Sequence, residues 1–115
     1  MIKSIALAHR KTGMTREEYN RYWNEERGPL AASMIPGLRR YVQNHFVEVP
    51  GMEFHGDGIV EMWYDDVSAW QNSMKFIHSE EGLALRKDVM KFAEMQGKGG
   101  LWIVEEHVIM DEISR

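Results

Sequence analysis

The stretch MTREEYNRYWNEERGPLAASMIPGLRRYV, residues 14–42, decides the first half of the fold. Thr15 is a favourable N-cap residue, and Glu18 three positions later completes a capping box, which satisfies backbone N–H groups at the start of a helix. Beyond this start, aromatic side chains share one helical face: Tyr19, Tyr22 and Trp23. Pro36-Gly37 predicts a turn, after which the chain continues as a strand. The stretch therefore predicts a helix, a turn and a strand in this order.

Gly28-Pro29 interrupts the helical pattern within this stretch. Proline lacks a backbone N–H, and its ring clashes with the carbonyl group four residues earlier. We therefore expect the helix to end or kink at this dipeptide and to resume over residues 30–34.

The rest of the chain supplies further strands and a second helical region. Apolar residues bounded by turn residues predict strands at four places: residues 2–10, 38–49, 59–64 and 101–110. Asp65-Asp66 opens the second helical region, which restarts at Ser79 and continues to about Met95, before a glycine-rich turn at 97–100. The chain holds no linker or internal repeat, so its 115 residues predict a single domain spanning residues 1–115.

The resulting βαββαβ order predicts an α+β, ferredoxin-like fold, in which an antiparallel sheet carries both helices on one face. The other face of the sheet would then be bare. Its residues are too apolar to face water, so we expect a second sheet to cover it. A twofold homodimer with its sheets face to face, a dimeric α/β barrel, meets this need most simply.

Composition and charge argue against several classes of function. A net charge of −4 and a pI near 5.7 give no basic footprint for nucleic acid, and no Lys/Arg run predicts binding to an anionic membrane. The chain has no cysteine, so a disulfide, a thiolate nucleophile and a Cys-zinc site are all excluded. The N-terminal stretch lacks the features of a signal peptide, and no segment is long enough to span a membrane, so we expect a cytoplasmic protein.

Metal and cofactor signatures are absent as well. None of the five histidines pairs with another at the i, i+4 spacing of a helical zinc motif: His9, His45, His55, His78 and His107. The glycines at 97–100 lack the preceding strand and following helix of a phosphate-binding loop. Flavin and nicotinamide signatures are also missing, so we expect no bound metal and no cofactor.

The second strand carries the most suggestive polar pattern. Strand alternation places Tyr41, Gln43 and His45 on one face, where a covered sheet would normally be apolar. Buried polar side chains cost free energy unless they are hydrogen-bonded. One interpretation is a ligand pocket with His45 as acid/base and Tyr41 as hydrogen-bond donor. The other is a polar seam between two subunits.

Other candidate ligand-binding residues lie around this strand. His9 is near the end of the first strand, close to the second. Glu61 and Trp63 share one face of the third strand, where Trp63 could stack on a flat ligand, or where Glu61 could instead pair with Arg39 or Arg40. His78, at a break between helices, is a cap or exposed residue in one interpretation and lies on the pocket rim in the other.

The aromatic helical face has two interpretations. Such a face is more often part of the core than of a binding surface. In this fold, however, core and pocket share the interface between helices and sheet, and Tyr22 is the residue we expect in the pocket, because its hydroxyl needs a partner when buried.

The stretch from His9 to His45, above all Gly13-Met14-Thr15, Tyr22-Trp23, Gly28-Pro29-Leu30 and GLRRYV at 37–42, resembles the EthD family. The family is named after a protein associated with degradation of ethyl tert-butyl ether. The resemblance implies a small dimeric α/β barrel with a pocket between sheet and helices. It does not imply one reaction, since relatives are linked to polyketide dehydration or decarboxylation and to lactone isomerisation.

One position departs from the pattern of the family. Relatives often carry His before the Gly-Pro-Leu segment, whereas this chain has Arg27 there. Arginine stays charged and cannot act as an ordinary general base. It could hold a carboxylate or stabilise an enolate or oxyanion.

Three functions are therefore open. The first is an EthD-like homodimer that binds a small apolar or aromatic metabolite and acts on it by cofactor-free proton transfer, as an isomerase, dehydratase, decarboxylase or oxygenase. In it His45 is the acid/base, Tyr41 or Tyr22 the donor, Arg27 the anion holder and Trp63 a stacking wall. The second is a non-catalytic accessory protein of an oxygenase or degradation pathway, which Arg27 favours. The third and weaker is a haem-degrading monooxygenase-like protein, which would need an axial histidine.

Overall fold

The computed structural model describes residues 1–94 and 100–113. Its elements follow the predicted order, with four strands: β1 (Ile2–Ala8), β2 (Arg40–His45), β3 (Gly58–Tyr64) and β4 (Leu101–Val104). The helices are α1 (Arg16–Tyr22), α2 (Gly28–Met34), α3 (Val67–Ile77) and α4 (Leu83–Phe92), with a π-helical turn at Trp23–Arg27 and a 3₁₀ turn at Glu80–Gly82. The helix predicted to reach about Met95 ends at Phe92, and the turn predicted at 97–100 falls mostly outside the described residues.

The four strands form one antiparallel sheet in the order β2-β3-β1-β4, the ferredoxin-like arrangement that the element order predicted. Ser4 and Ala6 of β1 lie on the face that the helices cover, together with Val60 and Met62 of β3. We call the opposite side the open face. Within residues 1–94 and 100–113, every helix is too short or too polar to span a lipid bilayer.

Three strands are shorter than predicted, because strand length is set by the partner. β4 ends at Val104, opposite Lys3, where β1 extends only one residue further, to Ile2. β2 ends at His45, opposite Gly58, the first residue of β3. β1 ends at Ala8, two residues early, and Arg10 makes only an isolated bridge to the end of α4.

The capping box forms as predicted: Thr15 Oγ1 accepts from the backbone N–H of Glu18, and the Glu18 carboxylate accepts from the N–H of Thr15. The helix does not end at Pro29, however. It widens into the π-helical turn immediately before the proline and continues as α2. Pro29 cannot donate to the carbonyl four residues earlier, and its ring pushes that carbonyl away. The wider π-helical turn makes room for the proline, so the helix continues without a break.

The core lies between the helices and the sheet in two clusters. One contains Ala31, Ile35, Tyr64 and Leu85, and the other contains Tyr19, Trp23 and Phe92. Tyr19 and Trp23 are almost fully buried, so this part of the predicted aromatic face belongs to the core. Because a Cβ at Gly58 would lie 2.7 Å from the Trp23 ring, only glycine lets the indole pack so closely on the sheet.

Candidate functional site

A cleft of about 590 Å³ opens between β2 and the junction of the π-helical turn with α2. We call it the His45 cleft, and its lining residues are Asn24, Gly28, Pro29, Ala32, Tyr41, Gln43 and His45. The three polar residues of β2 that strand alternation put on one face therefore meet in one cleft on the helix-covered side of the sheet.

Gln43 is the centre of a hydrogen-bond network in this cleft. Its amide Nε2 donates to the Trp23 carbonyl oxygen at 2.7 Å and to Tyr41 Oη at 2.9 Å. A carbonyl oxygen only accepts, so the Nε2 group must face Trp23, and Oε1 faces His45 Nε2 at 2.8 Å. Gln43 Oε1 can only accept, so the proton of a neutral His45 lies on Nε2 and its Nδ1 carries a lone pair.

The π-helical turn supplies the oxygen that orients Gln43. The Gly28 N–H donates to the Trp23 carbonyl five residues earlier, and the same carbonyl accepts from Gln43. A Cβ on Gly28 would lie 3.2 Å from Gln43 Nε2, so the absence of a side chain at Gly28 makes room for the amide. π-helical turns often occur at functional sites. This turn directs the Trp23 carbonyl oxygen toward Gln43 on β2.

Trp23 also orients His45 through its ring. The two rings stack with centroids 4.4 Å apart and planes 20° from parallel. Burial lowers the pKa of His45 below its ordinary value of 6.5, so the imidazole is mainly neutral at pH 7. His45 Nδ1 makes no hydrogen bond within the described chain and is not buried, which leaves a basic nitrogen open in the cleft.

Tyr41 is the second titratable group of the cleft. Burial raises the pKa of its phenol above the ordinary value of 10, and the hydrogen bond from Gln43 offsets part of the rise. Tyr41 therefore stays protonated near neutral pH. Since its oxygen accepts from Gln43, its own O–H is free to donate. The cleft thus presents a base and a hydrogen-bond donor on either side of one amide group.

Arg27 and Tyr22 are held elsewhere by a residue that the sequence analysis did not single out. Buried Asp88 on α4 accepts from Tyr22 Oη at 2.5 Å and pairs with Arg27 Nη1 at 3.4 Å. Arg27 Nη1 also donates to the Leu85 carbonyl. The bond to Asp88 raises the pKa of Tyr22 to about 12. Asp88 thus neutralises the charge that was expected to hold an anion.

A second cavity, of about 490 Å³, lies between the sheet and helices α3 and α4. We call it the apolar cavity, because its walls are mainly aliphatic, sulfur-containing and aromatic side chains, among them Val60, Met62, Met74, Ile77, Val89 and Met90. Arg27 and His78 line it, and it shares no lining residue with the His45 cleft. His78 is the C-cap residue of α3, is exposed, and bonds through Nδ1 to the Met74 carbonyl at 2.8 Å.

Glu61 and Trp63 are not brought to either cavity. They lie on the open face, where Lys3 Nζ bonds Glu61 at 2.6 Å and Glu106 at 2.9 Å. Arg40 and Lys3 both lie against the Trp63 ring, at 4.6 and 4.7 Å from its centroid. The partner expected for Glu61, Arg39 or Arg40, is therefore replaced by Lys3, which sits opposite Trp63 in the register of β1 and β3.

His9 follows the end of β1, as expected, but it is not among the lining residues of the His45 cleft. Its Nε2 is buried and has no hydrogen-bond partner among the described residues. Within residues 1–94 and 100–113, no group of three or more His, Asp or Glu side chains is arranged to hold a metal ion.

The comparisons with known proteins agree with this architecture. An EthD domain family model matches residues 11–96. An EthD family protein from Bacillus halodurans is 32% identical, with a TM-score of 0.68, 93% of this chain and 99% of that chain being covered. No match was found among curated proteins.

Two more distant structures share the fold. A dimeric protein of unknown function with a ferredoxin-like fold from Bacteroides fragilis is 17% identical, with a TM-score of 0.59 and coverages of 91% and 95%. SnoaB, a cofactor-independent oxygenase from Streptomyces nogalater, is 9% identical, with a TM-score of 0.62 and coverages of 96% and 97%. The family model and the Bacillus protein together show that this chain belongs to the EthD family.

Proposed function

We propose that the protein is a cofactor-free enzyme that moves protons on a small apolar or aromatic metabolite bound in the His45 cleft. The observation that carries the proposal is the Gln43 network, which leaves a basic Nδ1 on His45 and a free O–H on Tyr41 in the same cleft. The description of SnoaB as a cofactor-independent oxygenase supports chemistry without a cofactor within this fold. That likeness concerns the fold alone.

Each polar residue of the cleft has a separate role in the proposed reaction. His45 Nδ1 takes a proton from a carbon next to a carbonyl group, while Tyr41 donates to the carbonyl oxygen on which negative charge develops. Gln43 fixes both groups and is itself fixed by the Trp23 carbonyl. Return of the proton from His45 to a second carbon atom gives isomerisation, and expulsion of a β-hydroxyl group from the enolate, with the proton held by His45 leaving in the water formed, gives dehydration. Decarboxylation of a β-keto acid needs no proton abstraction, since release of CO₂ itself forms the enolate that Tyr41 stabilises, and this enolate then takes up a proton. Arg27 takes no part, since Asp88 neutralises it.

Catalysed hydrogen–deuterium exchange tests this proposal without knowledge of the natural substrate. We expect the protein to accelerate exchange of the acidic α-protons of 2-tetralone, an aromatic ketone, in D₂O above the buffer rate, as followed by loss of the ¹H NMR signal. The catalysed rate should rise with pH to a midpoint below 6.5 and then level off, because burial lowers the pKa of the base, His45. A midpoint above 6.5, or no acceleration across a panel of similar ketones, would contradict it.

A non-catalytic accessory protein is the second candidate. The observation in its favour is the Arg27–Asp88 pair at the position where EthD relatives often carry a histidine. Binding of 2-tetralone without accelerated exchange would favour this function over the enzyme.

We also propose that the protein is a homodimer whose two sheets stack through their open faces. Trp102 of β4 is 55% exposed on this face, next to Ile5 in the register of β1 and β4. The tail beyond β4 adds exposed apolar side chains: Val108, Ile109, Met110 and Ile113. A surface of this kind marks an interaction site. The Bacteroides fragilis structure of the same fold is described as dimeric, which supports this arrangement.

A further inference from the structure

The apolar cavity is separate from the His45 cleft, because the two share no lining residue. Its volume of about 490 Å³ falls within the range of small-molecule sites. Three methionines line it, of which Met62 and Met74 are half-buried and Met90 is 70% exposed. Such flexible side chains adapt to the shape of an apolar ligand.

Arg86 sets the polar character of the cavity. It lies on α4, lines the cavity, and is fixed by two hydrogen bonds from Nη1, to the Ile77 carbonyl at 2.5 Å and the Ser79 carbonyl at 2.6 Å. These acceptors lie on either side of His78, which is exposed at the same corner. Arg86 is therefore held at the end of α3, where the cavity meets exposed residues.

The charge of Arg86 is not balanced by an acidic side chain. No carboxylate of the described residues lies within 4 Å of its guanidinium, whereas Arg27, the other arginine of the cavity, is paired with Asp88. Both carbonyl contacts of Arg86 use Nη1, so Nε and Nη2 keep their donors. Trp70, another lining residue, has a buried Nε1 without an acceptor. The cavity therefore combines apolar walls with an excess of hydrogen-bond donors.

We propose that the apolar cavity binds an apolar carboxylic acid, with its hydrocarbon or aromatic body against the methionines and its carboxylate on Arg86. A carboxylate supplies the charge and the acceptors that the cavity lacks, and a guanidinium can bind it through two parallel hydrogen bonds. An uncharged ligand of the same shape would fill the cavity but would leave Nε and Nη2 of Arg86 without an anionic acceptor.

The test is a titration of protein labelled with ¹³C at the methionine methyl groups, using 2-naphthoate and its uncharged methyl ester. Both probes should shift the signals of Met62 and Met74, which line the cavity and are half-buried, and leave the exposed Met52 unchanged. We expect 2-naphthoate to bind at least tenfold more tightly than the ester, since hydrogen bonds to charged groups are the strong ones.

Arg86→Gln should weaken 2-naphthoate about tenfold and leave the ester unchanged, whereas Arg86→Lys should retain part of the preference. Lys87→Gln removes the same charge from an exposed neighbour on α4 and should change neither probe. Equal affinity of acid and ester for the wild-type protein would overturn the proposal even if Arg86→Gln failed to fold. Failure of the cavity methionines to respond would overturn it as well. Neither result would affect the outcome of the hydrogen–deuterium exchange experiment, which tests the His45 cleft.

Discussion

Replacing His45 with Gln is expected to lower the catalysed exchange of 2-tetralone between about 10²- and 10⁴-fold, the range that general acid–base groups contribute. The glutamine amide can still donate toward Gln43, as His45 Nε2 does at 2.8 Å, but it offers no basic nitrogen to the cleft. The variant therefore removes the base and keeps a donor in its place. The measurement is the exchange rate by ¹H NMR at pH 7.5, after subtraction of the buffer rate.

The matched control is His55→Gln. His55 is exposed and lies outside the His45 cleft, so its replacement should leave the exchange rate unchanged. If the folded His45→Gln protein retains exchange within about threefold of the wild-type rate, general base catalysis by His45 is ruled out, because a group that contributes at least 10²-fold cannot be removed at so small a loss.

Replacing Trp102 with Glu is expected to raise the dissociation constant of the proposed homodimer by about two orders of magnitude or more. Loss of one large aromatic anchor typically costs about 2–4 kcal/mol, and each 1.4 kcal/mol is a factor of ten. In the proposed dimer the twofold axis places the substitution in the interface twice, and a carboxylate buried there without a charged partner is costly. Sedimentation velocity over a dilution series measures the shift from dimer to monomer.

Val67→Glu is the control for this variant. Val67 is 47% exposed, but it begins α3 in the helix layer, away from the open face, and an acidic residue suits the start of a helix. We expect it to leave the dissociation constant unchanged. If Trp102→Glu remained as dimeric as the wild-type protein at low micromolar concentration, pairing through the open faces would be wrong.

Local patterns predicted the parts of the structure that depend on neighbouring residues. The capping box of Thr15 and Glu18 formed because both of its hydrogen bonds join residues three apart. The two-residue period of a strand was sufficient to place Tyr41, Gln43 and His45 on one face. The same period separated Glu61 and Trp63 from Met62, although it could not show which face the helices would cover.

Contacts between distant segments were beyond such patterns. Asp88 lies 61 residues after Arg27, and nothing in the spacing of either residue indicated that the two would pair. The role of the Trp23 carbonyl depends on a π-helical turn, whereas the sequence around Pro29 predicted only an end or a kink. The hydrogen bond from Gln43 to the Trp23 carbonyl forms only because β2 packs against that turn, so the sequence alone could not predict it.

The protonation state of His45 is the most direct test of the account, because the proposed chemistry needs a neutral ring with its lone pair on Nδ1. Long-range ¹H–¹⁵N NMR on protein labelled at histidine reports which ring nitrogen carries the proton. We predict that at pH 7.5 the proton lies on Nε2, bonded to Gln43, and that the ring titrates with a midpoint below 6.5. A proton on Nδ1 at pH 7.5, or a midpoint above 6.5, would contradict the account.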